Sequence, residues 1–462
     1  MDKMQVLTKA KFGSRVAEDE TEWLRSYFVE TEQWRKVFNG DADIVYGAKG
    51  AGKSALYSLL VAERETFRLG RRIVFIAAEN PRGTPAFRDL SLDPPATEEE
   101  FRGLWKLYFL TLMANYFRVH CETSRYSSPD ATRVISTLTE NGLLERNVTL
   151  IGRLKAVLAY IRKQIPSIEG SVTDPNTGVV VRGRITLSEP TAEERTRGFF
   201  SADDLLASLN GALHATNITL WIILDRLDVA FPDSADLERH ALRSLFRSYI
   251  DLLKYSHMSI KVFLRDDIWR RISTGGFKEA SHVTRTITIS WDKGMLLNLL
   301  VRRLVHNPDI CELYAVNRED VLRSAELQSE FFYRVFPSKV DIGKGKPVTL
   351  DWMMSRTADG SKRTAPRELI HLLAATRDEQ LKLYQLGNPE PPADNLMSNV
   401  AIRSALPEVS KIRYEQTLCA EYPALKTYAD KLENEKTQQT ASSLARLWAC
   451  SQDRQMRSPK DW

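Results

Sequence analysis

Residues 44–55 read Ile44-Val45-Tyr46-Gly47-Ala48-Lys49-Gly50-Ala51-Gly52-Lys53-Ser54-Ala55, and this stretch decides the fold. Three apolar residues lead into a glycine loop, and the loop closes on a lysine and a hydroxyl. Residues 44–46 are predicted to be a short buried strand. Residues 54–67 carry leucines at 56, 59 and 60 and are followed by Gly70, which predicts a helix with a glycine just past its end. Strand, glycine loop and helix in this order form the setting of a phosphate-binding loop, GxxxxGK[ST]. Glycines are needed there because backbone N–H groups must approach phosphate oxygens at angles that a Cβ obstructs. Lys53 reaches the terminal phosphates, Ser54 offers a hydroxyl to Mg²⁺, and the helix directs the positive end of its dipole at the anion. Gly47, Ala48, Lys49, Gly50, Ala51, Gly52, Lys53, Ser54 and Ala55 are therefore the expected nucleotide-binding loop, with ATP and Mg²⁺ as its ligands.

Upstream, Trp23, Leu24, Tyr27, Phe28, Trp34 and Phe38 fall near helical spacing and predict one or two amphipathic helices in residues 21–38. Downstream, residues 73–78 (Ile-Val-Phe-Ile-Ala-Ala) predict a second strand, so the first hundred residues contain a right-handed βαβ unit and the class is α/β. Residues 97–165 have a broad apolar helical face that includes Trp105, Leu107, Tyr108 and Leu112. Between Pro166 and Pro190, two β-rich runs flank Asp174-Pro-Asn-Thr-Gly178 and predict an inserted hairpin. Ser201 is placed to cap a helix running to about residue 215. Residues 218–224 (Ile-Thr-Leu-Trp-Ile-Ile-Leu) are the most β-prone run and predict the third strand. A helix at about 236–255, a strand at 260–264 and a strand at 286–289 complete five parallel strands.

A Mg²⁺-bound triphosphate also needs a carboxylate at the end of another central strand. Asp225 closes the third strand and meets that requirement. Many hydrolytic P-loop enzymes carry a glutamate directly after this aspartate, whereas this chain has Arg226; Asp228 is either the nearest substitute for a base or a cap on the following turn. Slow hydrolysis is the expected consequence. Arg239, Arg243 and Arg247 recur every four residues on the helix that follows; a solvated or ion-paired face, with Asp251 and Glu238 nearby, explains them better than a finger offered to a neighbouring subunit.

The loop at 47–54, the apolar run ending in Asp225 and Asp228, and Phe263-Leu-Arg265-Asp266 resemble the STAND and KAP-like branch of AAA+-related ATPases over roughly residues 40–375. That resemblance implies a parallel sheet of strand order 5-1-4-3-2, with Arg265 in a sensor position toward the γ-phosphate; a salt bridge to Asp266 or a neighbour is the structural alternative. Arg363-Thr-Ala-Pro366-Arg367 resembles the lid segment of the same relatives, where Pro366 and Arg367 would touch the nucleotide. Departures from the pattern are Arg226 and Val229 at the expected acidic positions, the hairpin and the long helical stretch before it. Some proteins of this kind act in bacterial conflict with phage or mobile elements, which the resemblance gives as a setting.

The domains expected are an N-terminal helical segment at 1–40, a P-loop domain at 41–292, a helical lid at 293–386, and a helical or winged-helix-like region at 387–462. A nucleotide-dependent switch or slow ATPase with a protein partner or self-assembly is the leading reading. The alternatives are a nucleic-acid-binding ATPase using the C-terminal region, and a scaffold with structural ATP. A net charge of +5 over 462 residues is no basic stripe, and Glu408, Glu415, Glu421 and Asp430 offset the C-terminal lysines and arginines. The four cysteines, Cys121, Cys311, Cys419 and Cys450, are too scattered for a zinc site or disulfide framework. No run approaches the roughly 18 apolar residues of a membrane span. The N-terminus lacks the pattern of a secretory signal, so a cytoplasmic address is expected.

Overall fold

The structure, a computed structural model, describes residues 2–14, 20, 23–68, 70–79, 97–164, 184–186, 189–227, 235–274, 276–392, 394–419, 422–436 and 438–448. Among these, eight strands form: β1 Ile44–Gly47, β2 Glu65–Arg68, β3 Arg71–Ala77, β4 Ile185–Thr186, β5 Phe200–Ser201, β6 Ile218–Leu224, β7 Met258–Arg265 and β8 Thr286–Thr288. Six of them make one sheet in the order β2-β3-β6-β7-β1-β8. β6 is buried along its whole length, as a strand covered on both faces must be, and its continuous apolar run follows from that.

The sheet is mixed, not all-parallel. Helix Lys53–Glu63 stops four residues short of the expected 67, Arg64 takes a φ of 59°, and the chain returns as β2, antiparallel to β3. Thr66 and Phe67 suit an extended edge, and Arg72 Nε bonds Glu65 Oε2 across the pair at 2.9 Å. The other four pairings are parallel, with Ile44 level with Val262 and Ala77 level with Ile223.

Alternation along the strands divides the sheet into two faces. Val45, Ile73, Phe75, Trp221, Ile223 and Phe263 pack with Leu56, Tyr57 and Leu60 of helix Lys53–Glu63. Val74, Leu220, Ile222, Leu224, Ile260, Val262 and Leu264 face helices Glu98–Ser124 and Ala235–Leu252. Helix Glu98–Ser124 opens with a Thr97/Glu100 capping box and buries Phe101, Trp105, Tyr108 and Phe109, each contributing roughly 1.5–3 kcal/mol of burial free energy. Pro129–Glu140 and Leu150–Gln164 complete this face, as the helical reading of 97–165 expected. Most of the expected hairpin at 166–190 lies outside the described residues. Its described part, β4, pairs in parallel with β5.

The arginine stripe is ion-paired, with partners other than those expected. Arg247 binds Glu98 and Glu279, Arg239 pairs with Asp236, and Arg243 donates to the carbonyls of Ile272 and Thr274. Asp251 instead binds Arg102 and Lys106, and Glu238 binds Arg271.

Below β1, Lys261 of β7 is buried, its Nζ 2.5 Å from Asp43 Oδ1, 2.8 Å from Ala42 O and 4.1 Å from the centre of the Trp221 ring. Asp43 also accepts from Tyr249 Oη at 3.1 Å and Ser259 Oγ at 3.3 Å, and pairs with Arg285 at 2.8 Å. Burial lowers the Lys261 pKa, against the opposing pull of Asp43.

After β8 the regular elements among the described residues are helices, apart from an isolated bridge between Ala358 and Thr364. Helices Lys293–Val305, Ala325–Val335, Thr349–Thr357, Pro366–Gln385 and Asn399–Arg413 share one core. Val6, Leu7, Ala10 and Phe12 from the N-terminus enter that core, whereas Val37 packs on the sheet. The N-terminal segment is therefore a strap that starts on the helical body and ends on the sheet. Among the described residues no helix is long and apolar enough to cross a membrane.

Candidate functional site

The glycine loop joins β1 to helix Lys53–Glu63 at the end of the sheet where the parallel strands finish. Gly50 and Gly52 take φ values of 78° and 102°, which an L side chain rarely adopts. A Cβ on Gly50 would lie 2.9 Å from Arg367 Cβ, and one on Gly47 would lie 3.3 Å from Ala51 Cβ. The helix has Gly52 as its N-cap with no side-chain cap, so its first N–H groups are left to the loop and to whatever occupies it. Lys53 Nζ donates to Gly47 O at 2.8 Å and Ala48 O at 2.9 Å, which holds the ammonium over the loop.

A cleft of about 190 Å³, partly open to solvent, lies against this loop. Lys49, Gly50, Ala51, Gly52, Lys53, Ser54 and Ala55 form one wall. Asp225, at the end of β6 and 4% exposed, and Arg265, at the end of β7, form a second. Pro366 and Arg367, at the start of helix Pro366–Gln385, come from the helical body. Gly47 and Ala48, expected in the binding loop, are not among the residues lining the cleft; their carbonyls accept from Lys53. Asp228 lies outside the described residues.

Arg265 is engaged by Asp267, Nε to Oδ1 at 3.0 Å and Nη2 to Oδ2 at 2.8 Å. The pair is with Asp267; Asp266 instead lies 3.7 Å from Arg363 of the lid segment. The Nε/Nη2 edge of Arg265 is thus taken by Asp267, which fixes the guanidinium at the cleft wall.

Several lining residues had no signal in the sequence. Trp291 Nε1 donates to Ala51 O at 2.8 Å, fixing the crest of the glycine loop from the junction of sheet and helical body. Val29, Leu299 and Ile370 pack together as an apolar patch beside it, with Phe28 and Tyr27 also on the cleft. The strap crossing this region is pinned by Arg303, which binds Glu20 through two contacts of 2.9 Å, donates to Phe12 O at 2.6 Å and stacks 4.6 Å over the Tyr27 ring. Lys49 Nζ donates to Gln416 O at 2.9 Å, within the π-helical turn Tyr414–Leu418 that ends helix Asn399–Arg413. These contacts span hundreds of residues, and only the fold brings them together.

Chemically, the site offers backbone N–H groups at a helix start, the ammonium groups of Lys49 and Lys53, the guanidinium groups of Arg226, Arg265, Arg303 and Arg367, and hard oxygen donors from Ser54 and Asp225. The first set suits an anion, and the oxygen donors suit Mg²⁺, which is usually held by one or two carboxylates together with substrate phosphates. Comparison of the chain with protein-family models, with curated proteins and with solved structures returned no match.

Proposed function

We propose that this chain is a P-loop ATP-binding protein, related in kind to the STAND and KAP-like ATPases, that holds Mg-ATP in the cleft and acts as a nucleotide-dependent switch with slow hydrolysis. One observation carries the reading: four distant segments, the loop at 49–55, Asp225, Arg265 and Arg367, line the same cleft. The strand order β8-β1-β7-β6-β3, with the loop after β1 and Asp225 after β6, supports it further.

In this reading the loop N–H groups and the start of helix Lys53–Glu63 hold the β-phosphate, and Lys53 turns from the Gly47 and Ala48 carbonyls to the β- and γ-oxygens. Ser54 and Asp225 would hold Mg²⁺, whose charge would offset that of the phosphates. Arg265 and Arg367 meet the γ-phosphate from the sheet and the helical body, so its presence draws the two bodies together. The patch of Val29, Leu299 and Ile370 suits a planar base. The contact of Lys49 with Gln416 makes the C-terminal helices the natural relay to a protein partner or a second copy of the chain.

Equilibrium dialysis with labelled ATP and Mg²⁺ tests the proposal. Wild type retains ATP, and Lys53→Ala weakens retention by about 1.5–3 kcal/mol, on the order of 10- to 100-fold, by removing a charged donor from the phosphates. Equal retention by both proteins would refute the assignment.

A further inference from the structure

We propose that Arg118 and Arg153 form a second ligand site, a receptor for the phosphate group of a small phosphate ester. Arg118 belongs to helix Glu98–Ser124 and Arg153 lies near the start of helix Leu150–Gln164, both on the opposite face of the sheet from helix Lys53–Glu63. The two arginines line a cavity of about 330 Å³ that has no residue in common with the nucleotide cleft. The site is therefore independent of the nucleotide reading.

Arg118 and Arg153 are 9% and 5% exposed, and arginines so deeply buried ordinarily have a counter-charge. Among the described residues neither forms an ion pair, and Nε of Arg118 and Nη1 of Arg153 have no hydrogen-bond acceptor. Arg118 is held in place by Nη1 donating to Leu144 O at 2.5 Å and Nη2 donating to Asn115 Oδ1 at 2.9 Å. A guanidinium only donates, so Asn115, which also lines the cavity, presents its oxygen to Arg118 and keeps its amide hydrogens as donors. The carboxylate among the lining residues, Glu122, is bound by Arg146 at 2.6 Å. Burial first, then the neighbouring Arg118, lowers the Arg153 pKa, with Tyr108 acting against them. Two neighbouring positive charges in such a place call for a dianion. A phosphate ester carries a charge of about −1.5 to −2 at pH 7 with three acceptor oxygens, and guanidinium donors match its geometry, whereas a carboxylate offsets one charge alone. Small-molecule sites span roughly 300–1,000 Å³, so the cavity has room for more than the phosphate itself, and Val119 and Val148 offer an apolar wall to the rest of the ester.

The test is isothermal titration calorimetry of the full chain with phenyl phosphate as the probe, paired with thermal unfolding. Wild type is expected to bind the probe, and Arg153→Met to bind it on the order of 10- to 100-fold more weakly. Arg153→Met also removes a buried charge that lacks a partner, so its Tm without probe should equal or exceed that of wild type, whereas loss of a purely structural arginine would lower it. A wild type that binds no phenyl phosphate at millimolar concentrations overturns the proposal. Binding that survives Arg153→Met and is lost in Lys53→Ala places the probe in the other cleft and overturns it equally. Inorganic phosphate, titrated in parallel, separates the two sources of the same dianion: phenyl phosphate should bind the more tightly, and the reverse order refutes the assignment to an ester. Should Arg153→Met fail to fold, Arg153→Gln carries the comparison, with weaker binding at an unchanged Tm supporting the site and unchanged binding refuting it.

Discussion

At the lower end of β1, Asp43 is enclosed by Lys261, Arg285, Tyr249 and Ser259, all supplied by the chain itself. At the upper end, four residues away, Lys53, Asp225 and Arg265 stand on the walls of a cleft. The same sheet thus carries buried charge in two ways. Below, each charge has its partners within the protein, and the cluster ties β1 to β7. Above, Lys53 bonds the Gly47 and Ala48 carbonyls and Arg265 pairs with Asp267, and with Asp225 they line a cleft. The lower cluster is internally compensated, and on the function proposed above the upper charges serve a ligand.

The sharpest way to break this contrast is to remove a carboxylate from each end. Asp43→Ala leaves Lys261 buried without its counter-charge and is expected to cost about 3–5 kcal/mol in urea unfolding. Asp225→Asn removes a desolvated charge but keeps an oxygen for hydrogen bonding. It is expected to change stability by no more than about 1 kcal/mol while abolishing the Mg²⁺ dependence of ATP binding. Equal destabilisation by both would erase the distinction.

A smaller effect comes from His257, also at the lower edge, whose Nδ1 donates to Ile218 O at 2.9 Å. Burial, followed by the charges of Arg71 and His214, lowers its pKa, and the bond to Ile218 O opposes them. Below about pH 6.5 the unfolded chain binds a proton at this ring that the folded chain does not, so stability falls as pH drops through that window. Urea midpoints measured from about pH 7 to 5 should show this slope flattened in His257→Gln. The smallest change is Arg239→Ala, which removes only an exposed pair with Asp236; it should cost less than about 0.5 kcal/mol and leave ATP binding unaltered. A larger loss of ATP binding would revive the idea of an arginine offered to a neighbour.

Much of the sheet was legible because its strands are short apolar runs that end at marked residues. The run at 218–224 became β6 with the same limits, and Ser201 caps helix Ala202–Ala215 as its hydroxyl suggested. β2 escaped notice because Glu65-Thr-Phe-Arg68 continues a helical leucine pattern, and only the positive φ of Arg64 ends it. The glycine loop, Asp225, Arg265 and Arg367 were visible as local motifs. Trp291, Glu20 and Arg303 were not, because their roles come from pairings across the whole chain.

The most direct measurement is a crystal structure of the full chain with Mg²⁺ and a non-hydrolysable ATP analogue. The account requires Lys53 Nζ to leave the carbonyls of Gly47 and Ala48 and bond the β- and γ-phosphate oxygens, with Ser54 and Asp225 both directed at the metal ion. Triphosphate bound away from residues 47–54, or a metal ion with Asp225 facing elsewhere, would contradict it.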